Sequence, residues 1–389
     1  MRIGYIIPYF HPFKDGLENN CLYLASELAK QHEVHVFTSD RRGDDILNER
    51  YEYYNGIHIH RYPTLFRYKY YFFYNKGMLS DVLRHNLDIL HFHNIGHPQW
   101  DIILLATRLF KKTKCINTPH GNFFASIEKS FFGKILKTIY RLWEFPFNRL
   151  YHAGIQVNQL QSKWLLSFGF RKKIFYVPDG MPADRFRTID NSDFVKKYGL
   201  KNKIVICNLG RLLQYKGLDQ IIKVLPDILQ KYPDTVFLSM GPDRGDLHRL
   251  KNLAKELGVE KNVVFVGEVS EDDKLRGLDA STIFVFPSQP GTEFFGIGML
   301  EGMARGVVPI ATRQEGPNFL LKDGKNGMLF NHGNLQELKE KLLFMIGCSG
   351  FLESARQENF RLAKSFINEK IAGQLEDVYK NILRRNTNL

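Results

Sequence analysis

Two glutamates, Glu293 and Glu301, lie in the segment of this chain that is best suited to binding a polar ligand. The apolar run TIFVFPS (282–288) predicts a buried strand, and a glycine-containing loop and an apolar helical stretch follow it. This order places backbone N–H groups at a helix N-terminus, where a phosphate or sugar oxygen can bind. A carboxylate accepts hydrogen bonds from vicinal hydroxyls, and eight helical residues rise about 12 Å. The spacing fits the span from the sugar of a nucleotide sugar to its ribose.

A helix with one glutamate at its start and one in solvent is the alternative for this segment. The surrounding glycines and Phe295 favour a ligand site instead. Gly296, Gly298 and Gly302 resemble a dinucleotide fingerprint, but G-x-G-x-x-G requires glycine where Glu301 stands. We therefore predict no nicotinamide cofactor.

Two cations bracket a second turn, in NLGRLLQYKGLDQIIKVL (208–225). The segment follows a predicted strand and opens a helix, and Gly210 permits close approach of the backbone. Arg211 and Lys216 in this position suit a diphosphate leaving group. The alternative is a pair of surface cations on a loop.

Two further strand ends carry weaker signals. PYFHPFKDGLENN (8–20) follows the first strand, with Gly16 at the start of the next helix and Glu18 in its first turn. It fits either a ligand site or an ordinary strand-to-helix turn. INTPHGNFF (116–124) places His120 just after a strand, where it is expected to point towards an interdomain cleft.

Metal chemistry is not predicted. His91 and His93 alternate along one strand, so we expect one of them to face the core, and neither has an obvious third ligand. The chain contains no D-x-D segment that would hold a divalent ion on a diphosphate. Its four cysteines are scattered and form no C-x-x-C pair, so neither a disulfide framework nor a zinc site is expected.

Short apolar runs alternate with helical patterns along the whole chain, which is typical of α/β sheets covered on both faces. The pattern restarts near residue 203, so we predict two doubly wound domains, with ligands at the carboxyl ends of their strands. We place the domains at 1–185 and 186–367, followed by a C-terminal helix over 368–389. The predicted strands are 3–7, 33–37, 88–93, 114–118, 153–157, 174–178, 203–210, 235–241, 263–267, 282–288 and 307–312.

Positive charge is concentrated in the first half of the chain. The formal net charge is +13, and residues 1–185 hold 25 Lys and Arg against 16 Asp and Glu. Bases and aromatics interleave over 61–76 and 130–152, and Lys134, Lys137 and Arg141 share one helical face. Ile135, Ile139 and Leu142 share another, which fits either an interfacial helix on anionic lipid or a helix whose apolar face packs inward. The chain has no run of about 18 apolar residues, so no membrane span is predicted. The N-terminal segment MRIGYIIPYF suits a first strand better than a signal peptide. We therefore expect a cytoplasmic protein that is peripheral at the inner membrane face.

These motifs resemble those of the retaining glycosyltransferases of family four, which have the GT-B fold of two Rossmann-like domains facing a cleft. The similarity covers nearly the whole chain. Its most specific parts are the Glu-x7-Glu segment and GRLLQYKG, supported by TPHG, by VPDG at 177–180 and by FINEKIAGQLEDVYKNIL. The resemblance implies an acceptor-binding first domain, a donor-binding second domain and a final helix that crosses back to the first.

The resemblance also implies roles for residues of the Glu-x7-Glu segment. Glu293 would bind hydroxyls of the donor sugar, and Glu301 would bind the ribose diol. The backbone amides around Phe295, Gly296 and Ile297 would hold the sugar and the distal phosphate.

Residues outside that segment would complete the site. Arg211 and Lys216 would stabilise the departing diphosphate, and Gly16 would approach the phosphates from the opposite domain. His120 would contact the transferred sugar near the reacting carbon. The base would stack near three residues, Gly267, Glu268 and Val269.

Two segments depart from the family pattern. The paired glycines of the first loop read Asp15-Gly16, and the usual N-G-V-D reads Asp179-Gly180-Met181-Pro182. The first change affects the phosphate loop, and the second removes an aspartate that contacts the acceptor or the hinge.

The family is thought to react by front-face attack, in which the leaving phosphate accepts the proton of the acceptor. The chain is then expected to transfer a hexose or N-acetylhexosamine from a UDP- or GDP-sugar to a glycan or lipid-linked acceptor. Neither a cofactor nor a metal ion would be needed. A GT-B nucleotide-sugar 2-epimerase is the alternative. A nucleic-acid-binding protein fits less well, because acidic residues in the main cleft repel a phosphate backbone, and no nucleic-acid partner is expected.

Overall fold

A computed structural model describes residues 1–13, 16–68, 72–120 and 131–384 of the chain. The protein divides into two compact units. The first consists of Met1–Gly180 with Asn368–Leu389, and the second of Met181–Ile367. The division at Gly180 lies slightly upstream of the boundary expected at residue 185.

Strands and helices alternate through both units. The strands are β1 Arg2–Ile6, β2 Glu33–Ser39, β3 Arg41–Arg42, β4 Asp45–Ile46, β5 Tyr51–Tyr54, β6 Ile57–Tyr62, β7 Thr64–Tyr68, β8 Phe72–Asn75, β9 Ile89–His93, β10 Lys114–Thr118, β11 Ala153–Gln156, β12 Ile174–Tyr176, β13 Ile204–Leu209, β14 Thr235–Met240, β15 Val263–Gly267, β16 Ile283–Phe286, β17 Val308–Thr312 and β18 Met328–Phe330. The helices are α1 Gly16–Ala29, α2 Met78–Arg84, α3 Pro98–Phe110, α4 Phe131–Phe147, α5 Ser162–Ser167, α6 Ser192–Lys197, α7 Asp219–Lys231, α8 Leu247–Glu256, α9 Glu271–Asp279, α10 Ile297–Ala304, α11 Glu315–Leu320, α12 Leu335–Gly347, α13 Ser349–Ala363 and α14 Asn368–Arg384.

The main sheet of the first unit has the strand order β12-β11-β10-β9-β1-β2-β6-β5. Its neighbouring strands are parallel, except that β5 runs antiparallel to β6. The chain leaves β1 for β2 on one side and later returns to β9 on the other. This is the doubly wound arrangement that the sequence predicts.

The sheet of the second unit has the order β15-β14-β13-β16-β17-β18, with every pair of neighbours parallel. Its first strand, β13, lies between β14 and β16, so this sheet is also doubly wound. The strands β14, β16 and β17 are buried along their full length. A parallel sheet covered on both faces buries every side chain, which explains why these strands appear in the sequence as continuous apolar runs.

The sequence prediction missed the antiparallel parts of the first unit. β6 alternates buried Ile57 and Ile59 with less buried His58 and His60, a period of two that the polar histidines disguise. β7 and β8 form an antiparallel pair within the basic and aromatic stretch 61–76, part of which lies outside the described residues.

The C-terminal helix expected over 368–389 is α14, and a separate helix, α13, precedes it. α13 ends at Ala363 and α14 begins at Asn368. Between them the chain is extended at Ile367, and the N–H of Met181 donates to the carbonyl of Phe366 at 2.9 Å. Phe366 is buried, so this junction is held by tertiary packing that helical periodicity does not reveal.

Candidate active site

Two loops of the second unit diverge at the point where its strand order reverses. The first follows β13 and leads towards α7, and the second follows β16 and leads towards α10. Because β13 and β16 are adjacent and their connections go to opposite sides, their carboxyl ends leave a crevice, which is where doubly wound sheets bind ligands. Both loops carry residues that the sequence singles out.

Backbone contacts join the two loops closely. The N–H of Gln289 donates to the carbonyl of Tyr215 at 2.7 Å. Gly217 has a φ of +66°, and a Cβ there would stand 2.3 Å from the carbonyl oxygen of Pro287. Glycine is therefore required at 217 by both conformation and space.

Lys216 and Glu293 meet across this junction. The Lys216 Nζ donates to the Glu293 Oε1 at 2.5 Å, and the two side chains are only 15% and 12% exposed. The Lys216 ammonium also lies 5.6 Å from the ring centre of Phe286 at the end of β16. The sequence predicts both residues in one site, and the structure joins them as an ion pair. Such a pair presents a cation for phosphate and a carboxylate for hydroxyls at one point.

Arg211 lies on the same loop as Lys216. Its Nη2 donates to the hydroxyl of Tyr215 at 3.3 Å. The loop begins at Gly210, which has a φ of +153° and whose N–H donates to the carbonyl of Met240 at 2.9 Å. Close packing continues at Gly241, where a Cβ would stand 2.1 Å from the carbonyl oxygen of Gly210.

The end of β15 continues this edge of the sheet. The carbonyl of Gly267 accepts from the N–H of Gly241 at 2.7 Å, and Gly267 has a φ of +84°. Glu268 is exposed and Val269 is partly buried. The three residues predicted to lie near the base are therefore at the same edge as the Lys216 loop, two strands away.

The first turn of α10 follows Glu293 directly. Gly296 caps the helix with a φ of +97°, and the helix begins at Ile297. The first N–H groups of a helix have no partner within it. A Cβ on Gly298 would lie 3.1 Å from the Leu209 carbonyl, so this turn packs against the end of β13. Phe295 is buried, and its ring centre lies 5.6 Å from that of Phe366, so its side chain anchors the loop.

Glu301 is buried and lies between two cations. Its Oε1 accepts from the Nε of Arg185 at 2.8 Å and from the Nζ of Lys274 at 2.9 Å. The Arg185 guanidinium is 2% exposed and also pairs with Glu271 and with Asp184. The predicted contact of Glu301 with ribose stays a prediction, and the structure adds an ion-pair network around it.

In the first unit, His120 lies in a cluster of polar side chains. Its Nε2 is 3.0 Å from the Nδ1 of His93, which is 3.3 Å from the Sγ of Cys21. The Nδ1 of His120 is 3.8 Å from the Oδ1 of Asp179, which accepts from Asn20 at 2.7 Å. His120 has a φ of +54°, a strained conformation for a residue with a side chain and one that concentrates at functional sites.

The histidine pair of β9 differs from its prediction. Both His91 and His93 are buried, not one of the two. His91 is held by the hydroxyls of Tyr379 and Thr118, each at 2.7 Å. His93 does have further possible ligands, since Cys21 and His120 converge on it. The sequence could not show this, because those residues come from α1 and from the end of β10.

At the start of the same unit, Gly16 is the first residue of α1 and Glu18 lies buried in its first turn. The two residues before Gly16, and Gly121 after His120, lie outside the described residues. The predicted approach of Gly16 to the phosphates stays a prediction.

Two family models together match most of the chain. Residues 190–361 match the model described as glycosyl transferases group 1, and residues 14–185 match the one described as glycosyltransferase family 4. The chain belongs to the family-four glycosyltransferases. This glycosyltransferase is 23% identical over 331 residues to a phosphatidyl-myo-inositol mannosyltransferase of Mycobacterium tuberculosis, covering 85% of this chain and 82% of the relative.

Solved structures show the same fold. Sucrose-phosphate synthase of Thermosynechococcus elongatus superposes with a TM-score of 0.81 at 17% identity, over 99% of both chains. HepE of Anabaena in complex with UDP gives a TM-score of 0.79 at 18% identity, over 98% of this chain and 100% of that one. The glycosyltransferase therefore has the GT-B fold. Among its described residues, no helix is both long and apolar enough to cross a membrane.

The Asp179 carboxyl of this glycosyltransferase makes stability depend on pH. Burial raises its pKa from 3.8 to about 7. Between these values the folded chain keeps a proton that the unfolded chain has released, so stability falls as pH rises through this window. We expect Asp179→Asn to match the wild type near pH 4 and to exceed its free energy of unfolding by at least about 1 kcal/mol at pH 8. The value is small because the side chain is still 11% exposed.

Urea unfolding of both proteins at several pH values measures this difference directly. Taking the difference cancels the titration of other groups, including His120, whose pKa burial lowers to about 3. A difference that stays constant from pH 4 to pH 8 would show that Asp179 ionises normally.

Proposed function

We propose that this chain is a retaining glycosyltransferase that moves a hexose or N-acetylhexosamine from a UDP- or GDP-sugar to a glycan or lipid-linked acceptor. The observation that carries the proposal is the Lys216–Glu293 ion pair at the switch point of the second unit. The ammonium can bind the phosphate of a sugar diphosphate, and the carboxylate can bind the hydroxyls of its sugar. The donor would replace their mutual contact with its phosphate on Lys216 and its hydroxyls on Glu293.

The proposed reaction needs charge stabilisation more than a protein nucleophile. As the bond to the anomeric carbon breaks, negative charge grows on the leaving diphosphate, and Lys216 and Arg211 would stabilise it. The leaving phosphate would accept the proton of the acceptor hydroxyl on the same face of the sugar, so the anomeric configuration is retained. The contact of His120 with the transferred sugar is part of this proposal.

We propose that the reaction needs no metal ion, because of the partners of the carboxylates in the site. Glu301 is paired with Arg185 and Lys274, and Glu293 would face the sugar hydroxyls, so neither acid would hold a metal ion on the diphosphate. The negative charge of the diphosphate would then be stabilised by Lys216, Arg211 and the first turn of α10. The UDP in the HepE complex and the mannosyltransferase relative support a nucleotide-sugar donor.

The proposal is tested by incubating the protein with UDP- and GDP-sugars in EDTA, with and without candidate acceptors. We expect release of the nucleoside diphosphate only when an acceptor is present, and a product whose anomeric proton coupling matches that of the donor. Conversion of the nucleotide sugar to its C2 epimer without acceptor, with no nucleotide released, would favour the 2-epimerase alternative. An inverted anomeric centre, or activity that requires added magnesium, would contradict the proposed mechanism.

A membrane-borne acceptor is favoured by the surface of α4. Ile139 and Leu142 are 60% and 67% exposed, and Ile135 and Trp143 are also exposed. The helix packs inward through Tyr140 and its neighbours instead. The exposure of these side chains favours the interfacial helix over the alternative in which the apolar face packs into the unit.

Neighbouring elements carry further exposed apolar side chains. On α3, which contacts α4, the side chains of Ile102, Leu105 and Leu109 share a face and are exposed. α3 also contacts β8, and β8 pairs with β7, on which the side chains of Leu65 and Phe66 are exposed. An exposed apolar surface of this extent, beside lysines and arginines, is typical of peripheral membrane binding. We therefore place the acceptor among membrane-borne glycans or lipids.

Acidic substitutions on α4 should separate the protein from lipid. We expect Ile139→Asp combined with Leu142→Asp to lower the bound fraction on anionic vesicles at least about tenfold at low salt, because two apolar side chains lose their burial in lipid. Vesicle co-sedimentation measures this. Phe344→Asp, at an exposed position of the second unit, is the matched control and should bind like the wild type. A wild-type protein that stays in the supernatant would remove the membrane part of the proposal.

A further inference from the structure

Three histidines of the first unit converge on one point that the proposed reaction does not use. His35 lies on β2, His60 on the neighbouring β6, and His85 directly follows α2. One ligand atom from each lies within 4.8 Å of the others. We propose that His35, His60 and His85 form a binding site for a divalent transition-metal ion of the zinc class.

The distances suit an ion held by nitrogen ligands. The Nδ1 of His35 and the Nε2 of His60 are 3.1 Å apart. Ligands about 2.0–2.1 Å from a tetrahedral zinc ion stand about 3.4 Å apart. The third nitrogen lies within 4.8 Å of these two, so a shift of at most about 1.4 Å brings it to this spacing. His60 and His85 are partly exposed, so an ion can reach the site and a water molecule can complete its coordination.

Outer hydrogen bonds orient the rings of His35 and His85, and a carboxylate lies farther from His60. The Nε2 of His35 is 3.0 Å from the Oε1 of Glu33, and the Nδ1 of His85 is 2.8 Å from the backbone carbonyl of Asp81. The Nδ1 of His60 faces the Asp81 carboxylate at 3.9 Å. Metal-bound histidines commonly donate their second N–H to a carboxylate or carbonyl, which fixes the ring and its tautomer.

These outer contacts leave lone pairs facing each other. If His35 donates to Glu33 and His60 donates towards Asp81, the 3.1 Å contact between their inner nitrogens has no proton to share. If His60 instead donates to His35, its other nitrogen turns a lone pair towards the Asp81 carboxylate. A cation between the rings removes both conflicts.

The ligand type also indicates which ion the site would take. Neutral imidazole is a ligand for zinc, copper and nickel, whereas magnesium and calcium prefer oxygen. A bound ion would tie the end of α2 to β2 and β6, so its role is to stabilise the first unit rather than to take part in sugar transfer.

A second group, Cys21 with His93 and His120, competes as a metal site and has to be distinguished. There, one atom, the Nδ1 of His93, faces both the Cys21 sulfur and His120. Cobalt separates the two groups, since a thiolate ligand adds a strong near-ultraviolet charge-transfer band that a site of three histidines lacks.

The test titrates the metal-free protein with zinc and with cobalt, following calorimetry, the absorption spectrum and the melting temperature. We expect one ion per chain, no thiolate band, and a rise in Tm of roughly 5 °C or more when zinc exceeds its Kd about 100-fold. His85→Gln should abolish binding, and Glu33→Gln should weaken it by roughly 10–100-fold. The exposed His248→Gln is the matched control and should bind as the wild type does.

Three results would overturn the proposal: no binding of zinc, a thiolate band with cobalt, or loss of binding in Cys21→Ser but not in His85→Gln. The cobalt spectrum of the unmodified chain decides the question even if a variant fails to fold.

Discussion

We expect Lys216→Ala to lower kcat/KM for sugar transfer by roughly 10²–10³-fold, or about 3 kcal/mol of transition-state stabilisation. In the proposed mechanism this ammonium stabilises the charge that develops on the leaving diphosphate, and its side chain is only 15% exposed. A charge in such a place cannot be replaced by water without loss. Initial rates at several donor concentrations measure the effect and separate kcat from KM.

A nearby lysine gives the control for this result. Lys223 on α7 is 42% exposed and pairs with Asp219, and Lys223→Ala should leave kcat/KM within twofold of the wild type. Because Lys216→Ala also leaves Glu293 without its cation, the melting temperature of the variant has to be recorded beside the rates. A folded Lys216→Ala protein with nearly normal turnover would remove Lys216 from the proposed mechanism.

Arg185→Ala lowers the free energy of unfolding by about 3–5 kcal/mol, the second large effect expected. The Arg185 side chain is 2% exposed and its Nε donates to Glu301 at 2.8 Å, so its removal leaves a buried carboxylate with Lys274 as its remaining partner. Its carbonyl also accepts from the Nη1 of Arg305 at 2.8 Å, a contact that the substitution keeps. Urea unfolding followed by circular dichroism measures the loss.

Glu271 offers the matched control, since it also pairs with Arg185 but is 49% exposed. Glu271→Gln should cost less than about 1 kcal/mol, as exposed ion pairs do. Equal losses for the two variants would show that the burial of Glu301 does not govern the stability of this network.

The repeated order of strand, turn and helix could be predicted because parallel strands buried on both faces must be apolar throughout. That order places Lys216 and Glu293 after strands of one sheet, and the carboxyl ends of adjacent strands meet at one edge. The sequence does not show that they form an ion pair, because the approach of the two loops depends on the positive φ of Gly217 and on its missing side chain.

Contacts between residues that no local sequence pattern marks could not be predicted. Arg185 lies in a polar segment between the two series of strands, and no periodicity or motif marks it as the partner of Glu301. The same holds for His93 and Cys21 beside His120, which come from separate elements. The sequence prediction also missed the cluster of His35, His60 and His85. Polar histidines that alternate with apolar residues suggest a solvent-exposed strand face, and only the pairing of β2 with β6 shows that His35 and His60 are close.

The most direct test of the donor site is calorimetric titration with UDP and with GDP in EDTA. We expect one of the two nucleotides to bind wild-type protein with one site per chain, and Lys216→Ala to bind it at least about tenfold more weakly, because an ion pair with phosphate is lost. Lys223→Ala should bind like the wild type. Binding that appears only with added magnesium, or that is unchanged in Lys216→Ala, would contradict a donor site built on Lys216 and Glu293.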